Sequence, residues 1–265
     1  MMDVKIFLQN SKTIIQRIVP KSWIEQTQYI HSSLLIQWIL HNRNKLLTLS
    51  QKSAMVFSPH QDDETFGCGG MIALKRKHGV SVVVVFLTDG HLSGNLETNS
   101  QNQLITVRKQ EAVQALAILG VEPSEVYFLD RPDGQLSHLV TQNKQQTIQQ
   151  IDKLLKKYQP QEVYVPHHKD CHRDHEATYQ LVKAAINRVE MKAEMLQYPI
   201  WLFWKAPIFI MLNLQDIAAA WFISISSVQE TKIKAISSYR SQINTLNKGF
   251  IQQFIGKYEI YFRSE

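Results

Sequence analysis

The segment SPHQDDETFGCGG (58–70) sets one histidine, His60, ahead of three consecutive acids, Asp62, Asp63 and Glu64, directly after an apolar run. Adjacent carboxylates repel one another and are costly to desolvate, so a fold keeps them near its interior where a cation or a proton offsets them. The spacing H-x-x-D supplies a nitrogen and an oxygen donor, His60 and Asp63, from one turn, which is ligand chemistry suited to zinc. A second segment, HRDH (172–175), offers His172 and His175, one of which completes three protein ligands and leaves a position open for water. A closed structural zinc site is usually richer in cysteine, and this chain has only Cys68 and Cys171, far apart and in no CxxC arrangement. An open, catalytic metal site is the expectation.

These residues need a frame that brings them together. From residue 54 short apolar runs alternate with helical segments: AMVFS before GGMIALKRKHG, VSVVVVFLTDG before LITVRKQEAVQALAILG, EVYFLD before TIQQIDKLLKKY, and EVYVPHH before HEATYQLVKAAINRV. The runs VSVVVVFL and EVYVP are too uniformly apolar for half-exposed strands and too short for typical helices. They predict a mostly parallel central sheet covered on both faces, a Rossmann-like α/β three-layer sandwich. Ligands of such sheets bind beyond the carboxyl ends of the strands. Those positions carry His60 to Glu64 after the first strand, Asp89 and His91 after the second, and Asp130, Arg131 and Asp133 after the third. The fourth is followed by His167, His168, Asp170, His172, Asp174 and His175.

PHQDDE (59–64) and HRDHEAT (172–178) resemble the paired PH-x-DDE and HPDH signatures of the PIG-L/LmbE-like deacetylases, which remove acetyl from N-acetylglucosamine in various conjugates. VRKQEAVQALAILG, FLDRPDGQL, QYPIWLFW and KAISSYRSQ are similar to further family segments, so the likeness covers roughly residues 54–262. The resemblance implies a zinc-dependent N-deacetylase with His60, Asp63 and His175 as ligands and Asp62 as general base. It further implies His172 as oxyanion stabiliser or proton donor, protonated in the first role, with Asp174 orienting it. Arg108, Asp133, Asp170 and His91 are the expected substrate contacts. Gln61 and Arg173 stand where the family more often has proline, changes that bear on loop stiffness rather than on ligands. Glu64 is expected to support the loop, and the glycines 67, 69 and 70 to let a helix start close to the cluster.

The competing readings are weaker. GCGG lacks both G-x-G-x-x-G and a P-loop lysine, which argues against a nucleotide-binding module. A non-catalytic sugar-binding protein has no need of His60, Asp62, Asp63, His172 and His175 together. The nearest chemical alternative is a metal-dependent amidase acting on a thiol conjugate or another N-acyl substrate.

Composition agrees with a soluble globular chain: 44% hydrophobic and 20% charged residues, with a mean hydropathy of -0.21. The net charge of +6 comes without a dense Lys/Arg block, so nucleic acid is not an expected partner. A small-molecule or lipid- or glycan-linked amino sugar is. The N-terminus lacks the features of a secretory signal and the cysteines form no disulfide framework, which points to the cytoplasm. Residues 1–50 read as an amphipathic helical extension ahead of a deacetylase domain at 51–265. In it Trp23, Ile30, Leu34, Leu35, Trp38 and Ile39 recur at threes and fours, as a stripe that packs on the main domain or touches a membrane surface.

Overall fold

The computed structural model describes residues 20–41, 45–91, 98–206 and 212–263. Its strands are β1 (Leu46–Leu47), β2 (Ala54–Ser58), β3 (Val82–Thr88), β4 (Val126–Arg131), β5 (Glu162–Pro166), β6 (Glu194–Tyr198), β7 (Ala220–Ser224) and β8 (Tyr258–Arg263). The longer helices are α1 (Lys21–His41), α2 (Asp63–Lys77), α3 (Thr98–Ile118), α4 (Thr141–Tyr158) and α5 (Arg173–Arg188). Short helices follow: α6 (Leu202–Lys205), α7 (Leu214–Ala218), α8 (Gln229–Ile236), α9 (Arg240–Ile243) and α10 (Lys248–Gln252).

One sheet runs in the order β1-β7-β8-β6-β5-β2-β3-β4. Strands β2 to β6 pair in parallel, while β8 runs antiparallel to both β6 and β7. The valine-rich β3 is buried at every position, because alternate residues enter different cores. Val82, Val84 and Phe86 pack with Phe66, Met71 and Leu116 on one face. Val83, Val85 and Leu87 pack with Leu155, Val163 and Val182 on the other. The three-layer, mostly parallel sandwich is thus the observed fold.

Two sequence expectations need correction. The apolar stripe of α1 divides: Leu35 and Ile39 are buried against Phe203, Phe222 and Phe262, whereas Trp23, Ile30, Leu34 and Trp38 face outward. At 100° per residue the six positions span too wide an arc for one contact. The glycines of GCGG do not precede a helix; they lie within α2, which starts at Asp63. Close approach explains Gly67, where an added Cβ would come within 2.3 Å of the Tyr198 ring.

A buried ion pair completes the hydrogen bonding of α2 at that point. The Phe66 carbonyl accepts from Lys232 Nζ at 2.7 Å, and the Gly70 and Met71 N–H groups donate to Glu259 at 2.6 and 2.8 Å. Lys232 and Glu259 meet at 2.7 Å with side chains 1% and 2% exposed. The pair therefore ties α8 and β8 to the helix whose first residue is Asp63. Lys232→Met should cost about 3–5 kcal/mol in urea unfolding, since it leaves Glu259 buried without its cation. A loss under about 1 kcal/mol would show that the pair contributes little.

Candidate metal centre and active site

The loop after β2 is held from several directions. Ser58 Oγ donates to the His60 carbonyl at 2.7 Å and accepts from the Glu64 N–H at 3.1 Å. Thr88, at the end of β3, donates through Oγ1 to the Pro59 carbonyl at 2.7 Å. Gln61, fully buried, donates through Nε2 to the Thr88 carbonyl at 2.7 Å, a link between loops that a proline could not make. Arg108 donates to the Gly90 carbonyl at 2.9 Å and to the Gln61 carbonyl at 3.1 Å. These bonds hold Asp62 at the start of α2 with φ 149°, a conformation that favours glycine.

Two imidazoles then converge on one carboxylate. Asp63 Oδ2 lies 3.1 Å from His60 Nδ1 and 3.2 Å from His175 Nε2. Each ring is steered through its other nitrogen: His175 Nδ1 lies 2.6 Å from Asp170 Oδ2, and His60 Nε2 lies 3.0 Å from Asp133 Oδ1 and 3.3 Å from Asp174 Oδ2. Carboxylates behind imidazoles in this way fix the tautomer and aim of metal-ligating histidines. His175 Nε2 is buried without a hydrogen-bond partner. Tetrahedral zinc with bonds of about 2.0–2.1 Å sets neighbouring ligand atoms about 3.3 Å apart, so the Asp63 spacings fit the group. The donor sets whose ligand atoms all lie within 4.8 Å of one another are His60, His172 and His175, and His60, Asp133 and Asp174; Asp63 is in neither, although it touches both His60 and His175. In the latter set Asp174 is already engaged, accepting from the Gly134 and Leu136 N–H groups at 2.7 and 3.1 Å. It is better suited to support His60 than to ligate.

The electrostatics follow from this crowding. Burial opposes charge on His60 and His175, yet the carboxylates outweigh it. Asp133, Asp174 and Asp63 hold His60 well above its ordinary pKa, and Asp63 and Asp170 raise His175 to about 9. Asp63 is held well below the carboxylate range by His175 and His60, against the cost of burial. Burial and the neighbouring Asp63 charge push Asp62 up to about 8, despite Arg108 at 3.9 Å. Burial lowers His172 to about 3, aided by repulsion from His175 and His60.

Together these groups open on a cavity of about 280 Å³ lined by His60, Asp62, Asp63, Arg108, Asp133 and His172. The lining also includes Phe66, Ile200, Trp201, Gln242, Thr245, Leu246 and Phe250. Gln242 and Thr245 carry no charge or motif of their own that marks them in the sequence. Only the similarity in KAISSYRSQ pointed to that region.

Several assigned residues sit elsewhere or act differently. Asp170 was an expected substrate contact, but it is fully buried behind His175 and accepts from the N–H groups of Ile200, Trp201 and Leu202 at 2.9, 3.0 and 2.9 Å. Its acceptor capacity is spent on the fold. His91 is not among the described cavity-lining residues; its Nδ1 pairs with Asp89 Oδ1 at 2.7 Å. Asp174 does not orient the His172 ring with its carboxylate; the reverse contact exists, His172 Nδ1 accepting from the Asp174 N–H at 3.3 Å. The expectation of a protonated His172 also yields, because burial favours the neutral ring. On α3, the Glu111 carboxylate accepts from the N–H and hydroxyl of Ser241 at 2.9 and 2.6 Å. Glu64 supports the loop as expected, accepting from the Asp62 N–H at 3.1 Å and from Tyr239 Oη.

The sequence profile of PIG-L, GlcNAc-PI de-N-acetylase, matches residues 55–186, which span both histidine–aspartate segments. The chain belongs to the PIG-L family. Among relatives of this PIG-L chain, a diacetylchitobiose deacetylase of Thermococcus kodakarensis is 27% identical over 202 residues, 72% of this chain and 70% of that protein. A probable N-acetyl-alpha-D-glucosaminyl L-malate deacetylase 2 of Bacillus cereus is 23% identical over 201 residues, covering 74% and 86%. An N,N'-diacetylchitobiose deacetylase from Pyrococcus horikoshii superposes with a TM-score of 0.56 at 24% identity, over 76% of this chain and 73% of that one. GalB, the 4-carboxy-2-hydroxymuconate hydratase of Pseudomonas putida, also superposes, with a TM-score of 0.55 at 20% identity over 80% and 95%. The fold thus hosts more than one reaction, and the argument for chemistry rests on the PIG-L site itself.

The support behind His175 is open to test. Asp170→Asn should weaken metal binding by about 10–100-fold in a chelator competition, because the amide no longer holds the ring with a charge. Unchanged affinity would show that Asp170 serves only the backbone turn.

Proposed function

We propose that this PIG-L chain is a zinc-dependent hydrolase that removes the acetyl group from an N-acetylglucosamine-type sugar conjugate. The observation that carries the reading is the convergence of His60 Nδ1 and the buried His175 Nε2 on Asp63 Oδ2 at the floor of the cavity, with Asp62 beside them. The names of the relatives, deacetylases of chitobiose and of a glucosaminyl malate, agree with it.

His60, Asp63 and His175 would hold the metal. The chemistry a zinc ion supplies when bound is Lewis-acid polarisation of a carbonyl and a water pKa lowered toward about 7. Asp62 lines the same cavity without an imidazole contact, and burial beside Asp63 makes its carboxylate more basic than a solvated one, which suits a group that takes a proton from water and passes it on. Hydrolysis of the amide yields acetate and the free amine, so the proton Asp62 removes is returned to the leaving nitrogen. His172 takes part as a neutral ring: its Nδ1 accepts from the backbone, so its hydrogen sits on Nε2 and can be donated to the amide oxygen as negative charge develops there. Arg108 and Asp133 offer a donor and an acceptor at the cavity wall. Trp201, stacked on Phe250 with centroids 4.2 Å apart and with Lys205 Nζ 3.6 Å from its ring centroid, contributes to the apolar side of the cavity.

Acetate release from N-acetylglucosamine conjugates, with metal content measured on the same sample, separates the roles. Asp62→Asn should cut kcat by about 10²–10⁴-fold and keep the metal. His60→Ala or His175→Ala should lose it. Full turnover in a metal-free preparation, or in Asp62→Asn, would overturn the scheme. Release from other N-acyl substrates but from no amino sugar would leave the amidase reading in its place.

A further inference from the structure

Gln242 has hydrogen-bonding capacity that the fold leaves largely unspent. It sits on α9, 5% exposed, and lines the active-site cavity with Asp62, Arg108 and His172. A glutamine amide carries two donor hydrogens and an acceptor oxygen with two lone pairs. Among the described residues one of these positions is used, in the bond from Nε2 to Ser241 Oγ at 2.9 Å. An amide buried to this degree with an idle acceptor costs stability unless the contents of the cavity pair with it.

Neighbouring groups decide how the amide is turned. Ser241 Oγ gives its one hydrogen to the Glu111 carboxylate at 2.6 Å, so it presents only lone pairs to Gln242. An amide oxygen beside those lone pairs would be repelled. Nε2 therefore takes the Ser241 side, and Oε1 is the branch left for a ligand. The segment that carries the amide is clamped as well. Tyr239 Oη donates to Glu64, the Ser241 N–H donates to Glu111 at 2.9 Å, and Thr245 Oγ1 donates to the Gln242 carbonyl at 2.8 Å. An acceptor fixed in advance loses little freedom when a donor arrives.

The rest of the lining narrows what that donor is. A cationic group would be drawn to Asp62, Asp63 and Asp133 in the same cavity rather than to a neutral amide, and an anionic group would be repelled by them. A neutral hydroxyl is the donor that fits. We propose that Gln242 is a specificity-determining residue whose Oε1 accepts a hydrogen bond from one hydroxyl of the sugar ring, with Ser241 and Glu111 as positioning residues that keep the amide turned that way. Such a bond favours a hydroxylated ring over an N-acyl compound without one, which would leave the amide unpaired. The ligand class rests on the amino-sugar reading above, but the readout is binding rather than acetate release.

The test uses the full chain carrying Asp62→Asn, so that the ligand is not consumed, with methyl N-acetyl-β-D-glucosaminide and its 3-, 4- and 6-deoxy analogues as probes in ligand-observed NMR titrations. Gln242→Leu should weaken binding of the parent glycoside by about tenfold. One deoxy analogue should show the same loss against the unchanged Gln242, and no further loss when Gln242→Leu is added, because the two changes remove one bond. Ser241→Ala should give a smaller loss at that same hydroxyl. If Gln242→Leu lowers Tm, Gln242→Met supplies the comparison. Equal weakening of all four glycosides by the substitution would overturn the proposal, since Gln242 would then only shape the cavity. Unchanged affinity in Gln242→Leu, or no binding of any glycoside, would overturn it too. Acetate release by the chain with Asp62 intact tests the deacetylase reading separately: the predicted pairing without acetate release would keep this inference and remove that one.

Discussion

The convergence of His60 and His175 on the Asp63 carboxylate is the contact on which the rest of the site depends. Six acidic side chains, Asp62, Asp63, Glu64, Asp133, Asp170 and Asp174, crowd the same strand-end region, and most are buried. Without metal the balance falls to protons: carboxylates hold the two imidazoles above their ordinary pKa, and the imidazoles hold Asp63 below its own. A divalent cation held among these atoms would take the place of the imidazole protons and meet the same electrostatic need. The crowding that would be a defect in an ordinary core is what makes the site selective for a cation.

Much of the surrounding packing serves to keep this arrangement in place. The outer carboxylates bridge the imidazoles to the backbone. Asp170 connects His175 to the turn at residues 200–202, and Asp174 connects His60 to the turn at 134–136. Arg108 and Gln61 join the loops after β2 and β3. On the far side of α2 the Lys232–Glu259 pair anchors the helix that begins at Asp63. The ring of contacts uses neutral amides and paired charges, so the unbalanced charge is confined to the cavity floor.

The sandwich and the edge bearing the site were legible because both follow from local signals. Uniformly apolar runs such as VVVVFL permit only a strand buried on both faces, and parallel order places every following loop at one edge. Ligand chemistry narrows the expected donors to His60, Asp63 and one of His172 and His175, and the family resemblance points to His175. Roles that depend on direction were not legible. Asp170 is as acidic in sequence as Asp133, yet one faces the fold and the other the cavity. His172 differs from His175 only in its neighbours, and burial decides that it stays neutral. The wall from Gln242 to Phe250 lies far from both motifs and carries no marker in residue type. The stripe of α1 was recognised, but periodicity alone could not show that its residues divide between two faces.

Crystals of the zinc-loaded protein, measured at the zinc absorption edge, address the central claim most directly. The account predicts a single anomalous peak among His60 Nδ1, Asp63 and His175 Nε2, with Asp62 outside the coordination sphere. A peak on the Asp133–Asp174 side of His60, or a site in which Asp62 rather than Asp63 is the carboxylate ligand, would contradict it.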